Sequence, residues 1–553
     1  MSTKSELDHA GDVEADRAGS IDAGSPLPEV LGFYDAQHDR VQRRLSGRHI
    51  QMFAIASVVG TGLFLGLGQI LAVTGPLGVL LVFIHVGTVA FTQVLKQSLA
   101  SISEMCAFAP VSGTFSHYAA RWVDHALGFA VGWNYFYTCA ITLPAEITAG
   151  AVLIGFWDKN QPDHTGIYIA VFIVLVYCVN AFGARAFGNT EVVFSTLKLM
   201  LVAGLVIGGL AVNLGGGPDH QRHGFEFWHN PGAMVSSLAP GARGRWIGLL
   251  LAITPAAFSM VGMEIVTVAA AETRNPRKNM ITAMRTVFFR ITLCYILTSL
   301  IIGMLVPSND PDLLKKTSNA AQSPFVIAFN RAGVKVLPHI INAVVTTSAF
   351  SSANGMLFSS SRLLYALALH GQAPRVFSRV TASGVPLISI LTTGLFAFLA
   401  FLNVNNTAGT VFNWFVSLST VGSLLNWLMI GVTYLRFYYG LKAQGIDREL
   451  AHGVYRSKLQ PYAAMWTIFW SVFFILVSGM SVFWNFNGSD FVASYINLPI
   501  YAALYVGWKI FKRTKMLPLS QLDFTTGIPS LEETEEAGFV EKSRGIGRIK
   551  EFL

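Results

Sequence analysis

Long apolar segments are the feature that most limits what this chain can fold into. Twelve segments each come close to the roughly 20 residues that a helix needs to cross a bilayer. Inside a bilayer every backbone polar group must be paired, so the segments predict an all-α polytopic membrane protein with 12 transmembrane helices. The segments are residues 49–73, 77–98, 127–156, 166–183, 191–214, 246–271, 286–306, 336–369, 387–403, 410–437, 463–483 and 495–511.

The composition agrees with a membrane location and argues against a nucleic-acid partner. Hydrophobic residues make up 52% of the chain and charged residues only 13%, a balance that few soluble proteins have. The net charge of +8 comes from short basic clusters between apolar segments, which is a topology signal. The four cysteines have no metal-ligand or disulfide spacing and are interpreted as small buried hydrophobic residues. No cofactor, metal or catalytic motif is found, so the chain is not predicted to be an enzyme.

Basic residues are concentrated on one side of the predicted bundle. Clusters of Lys and Arg precede the first segment, lie between the sixth and seventh, and follow the tenth and the twelfth. With an even number of spans these clusters share one side, which predicts that both termini are cytoplasmic. Residues 1–48 are predicted to be a disordered cytoplasmic tail, and residues 512–553 a cytoplasmic C-terminal tail. Two glycosylation sequons, at Asn405 and Asn487, fall on the opposite, outer side.

Two of the segments carry residues that interrupt a helix at membrane depth. The first contains Gly60–Gly62, and the sixth contains Pro255 and Gly262. Unwound backbone survives at this depth only where it lines a cavity or is buried in protein. A Gly-x-x-x-Gly spacing that starts at Gly62 also fits a helix-packing motif, so one break alone is ambiguous. Two breaks in corresponding helices favour a midplane binding site in an inverted-repeat transporter.

The positions of the two breaks divide the predicted transmembrane domain, residues 49–511. The first five spans, residues 49–214, and the next five, residues 246–437, form a 5+5 inverted repeat of the leucine-transporter type. Residues 463–511 then supply two additional C-terminal helices.

The backbone around the two breaks offers ligands for a small zwitterion. Amides at the start of a half-helix favour a carboxylate, and freed carbonyl groups accept hydrogen bonds from an ammonium group. Such an arrangement suits an α-amino acid. A bulky aromatic residue beside the second break is either a gate over the bound solute or ordinary core packing. The candidate binding residues at the breaks are Val58, Gly60, Thr61, Gly62, Phe258, Ser259 and Val261.

Three charged residues lie within the predicted spans, where each is costly unless it is paired or hydrated. Lys198 is either a proton carrier, because a buried amine gives up its proton readily, or a side chain that extends to the cytoplasmic surface. Glu146 follows a proline in the third span and is predicted to act in the pocket or in proton transfer rather than in a structural pair. Glu264 is predicted to be a structural or gating partner for Arg or Ser groups.

Ordered motifs along the chain identify a related family. They comprise Arg48–Met52 before the run Gly-Thr-Gly-Leu-Phe, and segments 110–113, 128–134, 264–272, 275–278, 361–365, 371–374 and 412–415. With these motifs the sequence resembles the fungal amino-acid permeases of the amino acid–polyamine–organocation superfamily. The resemblance implies a proton-coupled importer in which the Gly-Thr-Gly break takes the substrate carboxylate and Phe258 gates. It also implies that Lys198 takes the place of sodium in sodium-driven relatives and that Glu146 influences substrate choice.

We therefore predict a secondary active transporter that imports amino acids by proton symport through alternating access. Its expected partners are the amino acid, protons and the lipid bilayer, with ubiquitin-ligase adaptors as candidate partners of the cytoplasmic tails and no nucleic acid. The expected location is the plasma membrane. Two alternatives stay open: an amino-acid-sensing, transporter-like receptor, or a permease for a polyamine, choline or a γ-amino acid. Such receptors tend to have longer N-terminal extensions than this chain.

Overall fold

The chain was analysed as a computed structural model. The structure describes residues 45–91, 101–109, 114–158, 160–273, 293–314, 323–404, 408–446, 459–526 and 528. Most of the predicted N-terminal tail, the 110–113 and 275–278 motifs and the sequon at Asn405 lie outside these residues. Within them the fold is helical, and the only β-type pairings that are described are isolated bridges.

The helices follow one another along the chain with short connections. They are α1 (Gly47–Val58), α2 (Leu67–Phe91), α3 (Ser101–Phe108), α4 (Thr114–Trp122), α5 (His125–Ile154), α6 (Gln161–Ala181), α7 (Ala184–Asn213), α8 (Gly241–Leu251), α9 (Ile253–Ser259), α10 (Leu293–Leu305), α11 (Pro311–Leu314), α12 (Pro324–Arg331), α13 (Leu337–Leu369), α14 (Leu387–Gly394), α15 (Ala408–Ala443), α16 (Tyr462–Val477), α17 (Gly488–Tyr495) and α18 (Asn497–Lys512). A π-helical turn, Gly62–Gly66, and 3₁₀ segments such as Ile265–Glu272 and Leu395–Val404 lie between them.

Every predicted span overlaps at least one of these helices, but the helices are less regular than the apolar segments are. The described residues contain 7 helices that are long and apolar enough to cross a membrane, and the bent pair α17 and α18 would make an eighth. The remaining spans are interrupted or short: the sixth is divided between α8 and α9, and α10 is a shorter apolar helix. The protein is therefore an all-helical, multi-pass membrane protein, while the count of twelve and the 5+5 repeat remain predictions.

Helix α5 is at the centre of the bundle. It packs against α13, α15 and α4, and nearly all of its residues are buried. Helices α6 and α7, by contrast, expose large apolar side chains such as Val174 and Ile207. A hydrophobic outer face of this kind is what a lipid environment requires.

The same lipid-facing surface corrects the prediction for the cysteines. Cys106 and Cys139 are buried as expected, but Cys178 is exposed and Cys294 is partly exposed, and all four are free. Cys178 lies one helical turn after the exposed Val174 on α6, so it shares the outward face of that helix.

Both predicted interruptions are present in the structure. Helix α1 ends at Val58, and the chain re-enters a helix only through the π-helical turn Gly62–Gly66. Helix α9 ends at Ser259 and is followed by a turn. The two interruptions lie against each other, because the hydroxyl of Ser57 donates a hydrogen bond to the carbonyl of Gly262 over 3.3 Å.

Gly262 needs its missing side chain for this contact. Its φ is +98°, a conformation that other L-residues rarely adopt, and a Cβ atom there would lie 2.8 Å from the Ser57 carbonyl oxygen. Neighbouring side chains also satisfy carbonyls that the interruptions release. Ser348 donates to the Val59 carbonyl over 3.1 Å, and Tyr295 donates to the Ser259 carbonyl over 2.5 Å. The interruptions are thus held by specific partners.

The beginning of the predicted C-terminal tail packs onto the helices. Residues 517–526 cross the ends of α4 and α15, where Asp523 forms an ion pair with Arg121 over 3.1 Å. The Gln444 side chain donates to the Leu522 carbonyl over 2.8 Å. This part of residues 512–553 is therefore attached to the bundle.

The contact between the first interruption and α9 generates a stability prediction. A methyl group on Gly62 would lie 2.7 Å from Ser259 Cα, whereas on Gly66 the nearest atom would be Ser259 Oγ at 3.8 Å. We expect Gly62→Ala to lower stability by about 1–3 kcal/mol, the usual cost of overpacking, and Gly66→Ala to leave it unchanged. Thermal unfolding of the detergent-solubilised protein measures the difference. Equal melting temperatures for the two variants would contradict this packing.

Candidate substrate and coupling site

The carboxylate of Glu146 lies on the first interruption. The hydroxyl of Thr61 donates a hydrogen bond to Glu146 Oε2 over 2.9 Å, although the residues are 85 positions apart. A methyl group on Gly60 would lie 3.2 Å from Glu146 Oε1. Glu146 is buried on the central helix α5. The protein's own carboxylate therefore contacts the hydroxyl donor that the sequence assigned to a substrate carboxylate.

Lys198 lies at the other end of the same interruption. Its side chain is fully buried, and its ammonium nitrogen donates a hydrogen bond to the Ala56 carbonyl over 2.7 Å. Ala56 is in the last turn of α1, where carbonyl groups lose their helical partners. Because the ammonium group is held inside the bundle, the alternative that Lys198 extends to the cytoplasmic surface does not fit this structure.

Together the two side chains complement the dipoles of a divided helix. The carbonyl end of α1 carries partial negative charge and meets the Lys198 ammonium group, while the start of the next helical segment carries partial positive charge and meets Glu146. The Lys198 and Glu146 charges also attract each other. The interruption is thus held between a cation and an anion, each of which can bind or release a proton.

A second buried carboxylate, Glu191, also attracts Lys198. Ser351 donates to one of its oxygens over 2.6 Å, and Asn354 donates to the other over 3.0 Å. Asn354 accepts a further hydrogen bond from Asn180 over 2.6 Å. The sequence analysis did not select this network, whose only sequence signal is an acid seven residues before Lys198 on the same helix.

A third feature that was not predicted lies beside Gly60. The hydroxyl of Ser352 is buried and has no hydrogen-bond partner within the described part of the chain. It would lie 2.8 Å from a methyl group placed on Gly60. An unpaired buried hydroxyl is costly, so this hydroxyl is available to a polar group that enters the site.

At the second interruption, the predicted residues divide into a polar and an apolar group. The Ser259 carbonyl accepts from Tyr295, and the Ser259 hydroxyl donates to the Pro255 carbonyl over 2.9 Å. Phe258 and Val261 belong instead to a small apolar cluster, which we call the plug. It consists of Leu65, Ala149, Phe258, Val261, Phe412 and Val416.

The plug has one aromatic contact at its centre. The rings of Phe258 and Phe412 meet edge to face, with their centroids 6.2 Å apart, an arrangement that aromatic pairs favour. Since Phe258 directly precedes Ser259, one residue position separates the plug from the polar interruption. A side chain in this position can cover a solute that lies at the interruption.

The remaining predicted residues lie beside the site. Val58 is the last residue of α1, so its carbonyl faces the interruption. Glu264 is buried after the second interruption, and its Oε2 accepts a hydrogen bond from the Trp427 indole over 3.2 Å. The partner of Glu264 is therefore an indole, where the sequence suggested Arg or Ser. The residues that the structure describes include no group of three or more His, Cys, Asp and Glu side chains that could hold a metal ion.

Comparisons with known proteins agree with this arrangement. Residues 49–521 match the family model described as amino acid permease. A proline-specific permease of Emericella nidulans is 37% identical over 94% of this chain and 94% of its own length. From Saccharomyces cerevisiae, a dicarboxylic amino acid permease is 34% identical over 93% of this chain and 84% of its own. A lysine-specific permease of the same yeast is 36% identical over 88% and 78%.

These relatives are named as permeases, which are transporters and not enzymes. The match covers the described helices from α1 to α18, including both interruptions and the buried charges beside them. The chain belongs to the amino acid permease family.

Proposed function

We propose that this permease imports amino acids into the cell by proton symport, through alternating access across the plasma membrane. The observation that carries the proposal is the interruption between α1 and the Gly62–Gly66 turn, which is held by the buried ammonium group of Lys198 and the buried carboxylate of Glu146. Two ionisable groups at one unwound segment can link the gain or loss of a proton to movement of that segment.

In this proposal Glu146 takes the place of the substrate carboxylate while the site is empty. The Thr61 hydroxyl, which donates to Glu146 Oε2 over 2.9 Å, is released when the carboxylate of an amino acid arrives. The amides around Gly60 and Gly62 and the Ser352 hydroxyl then add donors. Binding is an exchange of one carboxylate for another at the same donors, so it leaves few donors unpaired.

Lys198 carries the coupled proton in this proposal. While it is protonated, its ammonium group binds the Ala56 carbonyl and holds the end of α1. When the proton leaves, this charge-assisted hydrogen bond becomes weaker, and α1 is free to move relative to α7. The loss of a proton on the cytoplasmic side therefore favours the return to the empty state.

We infer that the preferred substrate is a neutral amino acid. Glu146 and Lys198 have opposite charges and attract each other, while Ala149, Phe258 and Val261 form an apolar surface beside them. An acidic or basic substrate side chain would be desolvated against this apolar surface. L-Proline is the first candidate, because a proline-specific permease matches this chain over 94% of both lengths.

Uptake by yeast cells that lack their own amino acid permeases tests the function. Cells that express this chain should accumulate radiolabelled L-proline or another neutral amino acid, and a protonophore should abolish the accumulation. L-Lysine, L-glutamate, choline and a polyamine complete the panel. Binding without accumulation would favour the receptor alternative, and accumulation that depends on sodium but not on the proton gradient would contradict proton symport.

Lys198→Ala should abolish concentrative uptake, because the variant lacks the group that we assign to the coupled proton. Lys198→Arg should also fail to concentrate the substrate, since a guanidinium group keeps its proton, but it should still bind it. Thr196→Ala, an exposed position on the same helix, is the matched control. Accumulation ratios are compared at equal surface levels of a fluorescently tagged protein. Protonophore-sensitive accumulation by Lys198→Ala would exclude Lys198 as the proton carrier.

Glu146→Gln should change substrate ranking more than coupling. The substitution keeps an oxygen that accepts from Thr61 but removes a negative charge from the site. We expect competition by L-aspartate to improve relative to L-lysine by about tenfold, which corresponds to about 1.4 kcal/mol. Competition against L-proline uptake measures the change. If surface level falls while the ranking stays the same, Glu146 has only a structural role.

Phe258→Ala should broaden the range of accepted side chains, because it removes the central ring of the plug. Competition by L-tryptophan should improve several-fold relative to L-alanine. Phe415→Ala is the control, since Phe415 is also a buried phenylalanine but belongs to a separate apolar cluster with Ile141 and Val411. Both variants lose a similar apolar area, so a change confined to Phe258→Ala reports gating. The same profile for both variants would remove Phe258 from the site.

A further inference from the structure

A polar cavity lies next to the plug, and none of the predicted site residues lines it. Its volume is about 370 Å³, within the range of about 300–1,000 Å³ that is typical of small-molecule pockets. It reaches the plug through Val416, which belongs to both. Its polar lining includes Gln69, Thr254, Asn413, Trp414, Ser417 and Asp490.

The position of the cavity along the chain gives its side of the membrane. The lining comes from the ends of α16 and the beginning of α17, on either side of the sequon at Asn487. The predicted topology assigns this connection to the outer face. The plug therefore lies between this cavity and the interruption that holds Glu146, which is the arrangement of an outer vestibule.

Asp490 is the only charged residue in the described lining of the cavity. Its Oδ1 accepts a hydrogen bond from the Trp414 indole over 2.7 Å. Among the described residues no Lys, Arg or His forms an ion pair with it. An indole donor fixes the carboxylate without neutralising it, so a negative charge faces a polar cavity.

Helix geometry explains only part of this arrangement. Asp490 lies in the first turn of α17, where the helix dipole stabilises an acid. That effect accounts for the presence of the acid, but it does not require an indole from α15 to hold the carboxylate beside a cavity. The carboxylate and the indole face also form the two elements that recognise an ammonium group, one by charge and the other by a cation–π contact.

We propose that this cavity is an outer binding site that holds the α-ammonium group of the amino acid on Asp490 and Trp414 before the plug opens. The site rests on the proposed function, since it supplies the same substrate to the interruption beyond Phe258. The α-amino acid leaves Asp490 when the ring of Phe258 moves away from Phe412. A site of this kind raises the local substrate concentration at the gate and increases the rate of binding.

The first test measures the charge of the cavity without transport. Ser417→Cys, in a Cys178→Ser background, introduces a thiol three residues after Trp414 on the same helix. A membrane-impermeant cationic methanethiosulfonate should modify Cys-substituted cells faster than its anionic counterpart does. Asp490→Asn should lower the cation-to-anion rate ratio several-fold. Asp163→Asn, an exposed acid on the same predicted outer face and outside the cavity, should leave the ratio unchanged.

Occupancy of the cavity is tested with the same thiol. L-Proline should protect the introduced cysteine against modification, and Asp490→Asn should raise the concentration that gives half protection. Equal rate ratios in the two acid variants, together with no protection by L-proline or any other amino acid in the panel, would overturn the proposal.

The second test measures uptake. Asp490→Asn should raise the KM for L-proline several-fold and keep the maximal rate per surface molecule, whereas Asp490→Glu should restore the KM. Trp414→Phe, which removes the indole donor and keeps an aromatic ring, should also raise the KM. An unchanged KM in both Asp490→Asn and Trp414→Phe, in a chain that accumulates L-proline, would refute the outer site. If the unmodified chain accumulates no amino acid, the proposed function fails, and the protection assay alone decides whether the cavity binds one.

Discussion

The hydrogen bond from Lys198 to the Ala56 carbonyl is the interaction on which the site depends. An interrupted helix inside a membrane leaves carbonyl groups that neither water nor the helix can satisfy. Lys198 satisfies one of them from α7 over 2.7 Å, and its charge opposes the negative end of the α1 dipole. Without such a partner, continuous helix would be the cheaper conformation at this depth. The cation therefore both permits the interruption and places a proton-binding group beside it.

The other contacts around the interruption serve the same purpose. Ser57 joins it to Gly262 of the second interruption, and Ser348 satisfies the Val59 carbonyl. Glu146 occupies the Thr61 hydroxyl, so the empty site has a charged placeholder. Because these partners come from different parts of the bundle, a change in any one of them acts on the interruption directly. Local ligand binding can thus be linked to movement of whole helices.

The bundle separates this polar centre from the outside by apolar packing. Phe258 and Phe412 form the centre of a plug that contains no polar side chain, and the cavity with Asp490 lies next to it. At the other end, Arg121 and Gln444 hold the segment 517–526 against the helix ends. The resulting order is a charged outer cavity, an apolar barrier, and a charged interruption that is buried in the core.

Sequence alone determined the class of the protein and the position of the interruptions. Apolar segments of membrane length specify helices, and Gly and Pro within them mark where a helix breaks, because both effects depend on neighbouring residues only. The same reasoning selected Lys198 and Glu146, since an ionisable residue at membrane depth is rare. It overestimated the regularity of the helices, as 3₁₀ and π turns replace α-helix where packing requires it.

Only the tertiary structure decided which groups meet. Thr61 and Glu146 are 85 positions apart, and Lys198 and Ala56 are 142 apart, so no local pattern could pair them. The same holds for Tyr295 on Ser259, for Trp427 on Glu264 and for the indole that holds Asp490. Such contacts depend on how the helices pack around α5. The sequence shows which residues can bind a proton or a carboxylate, and the packed bundle determines which of them do so together.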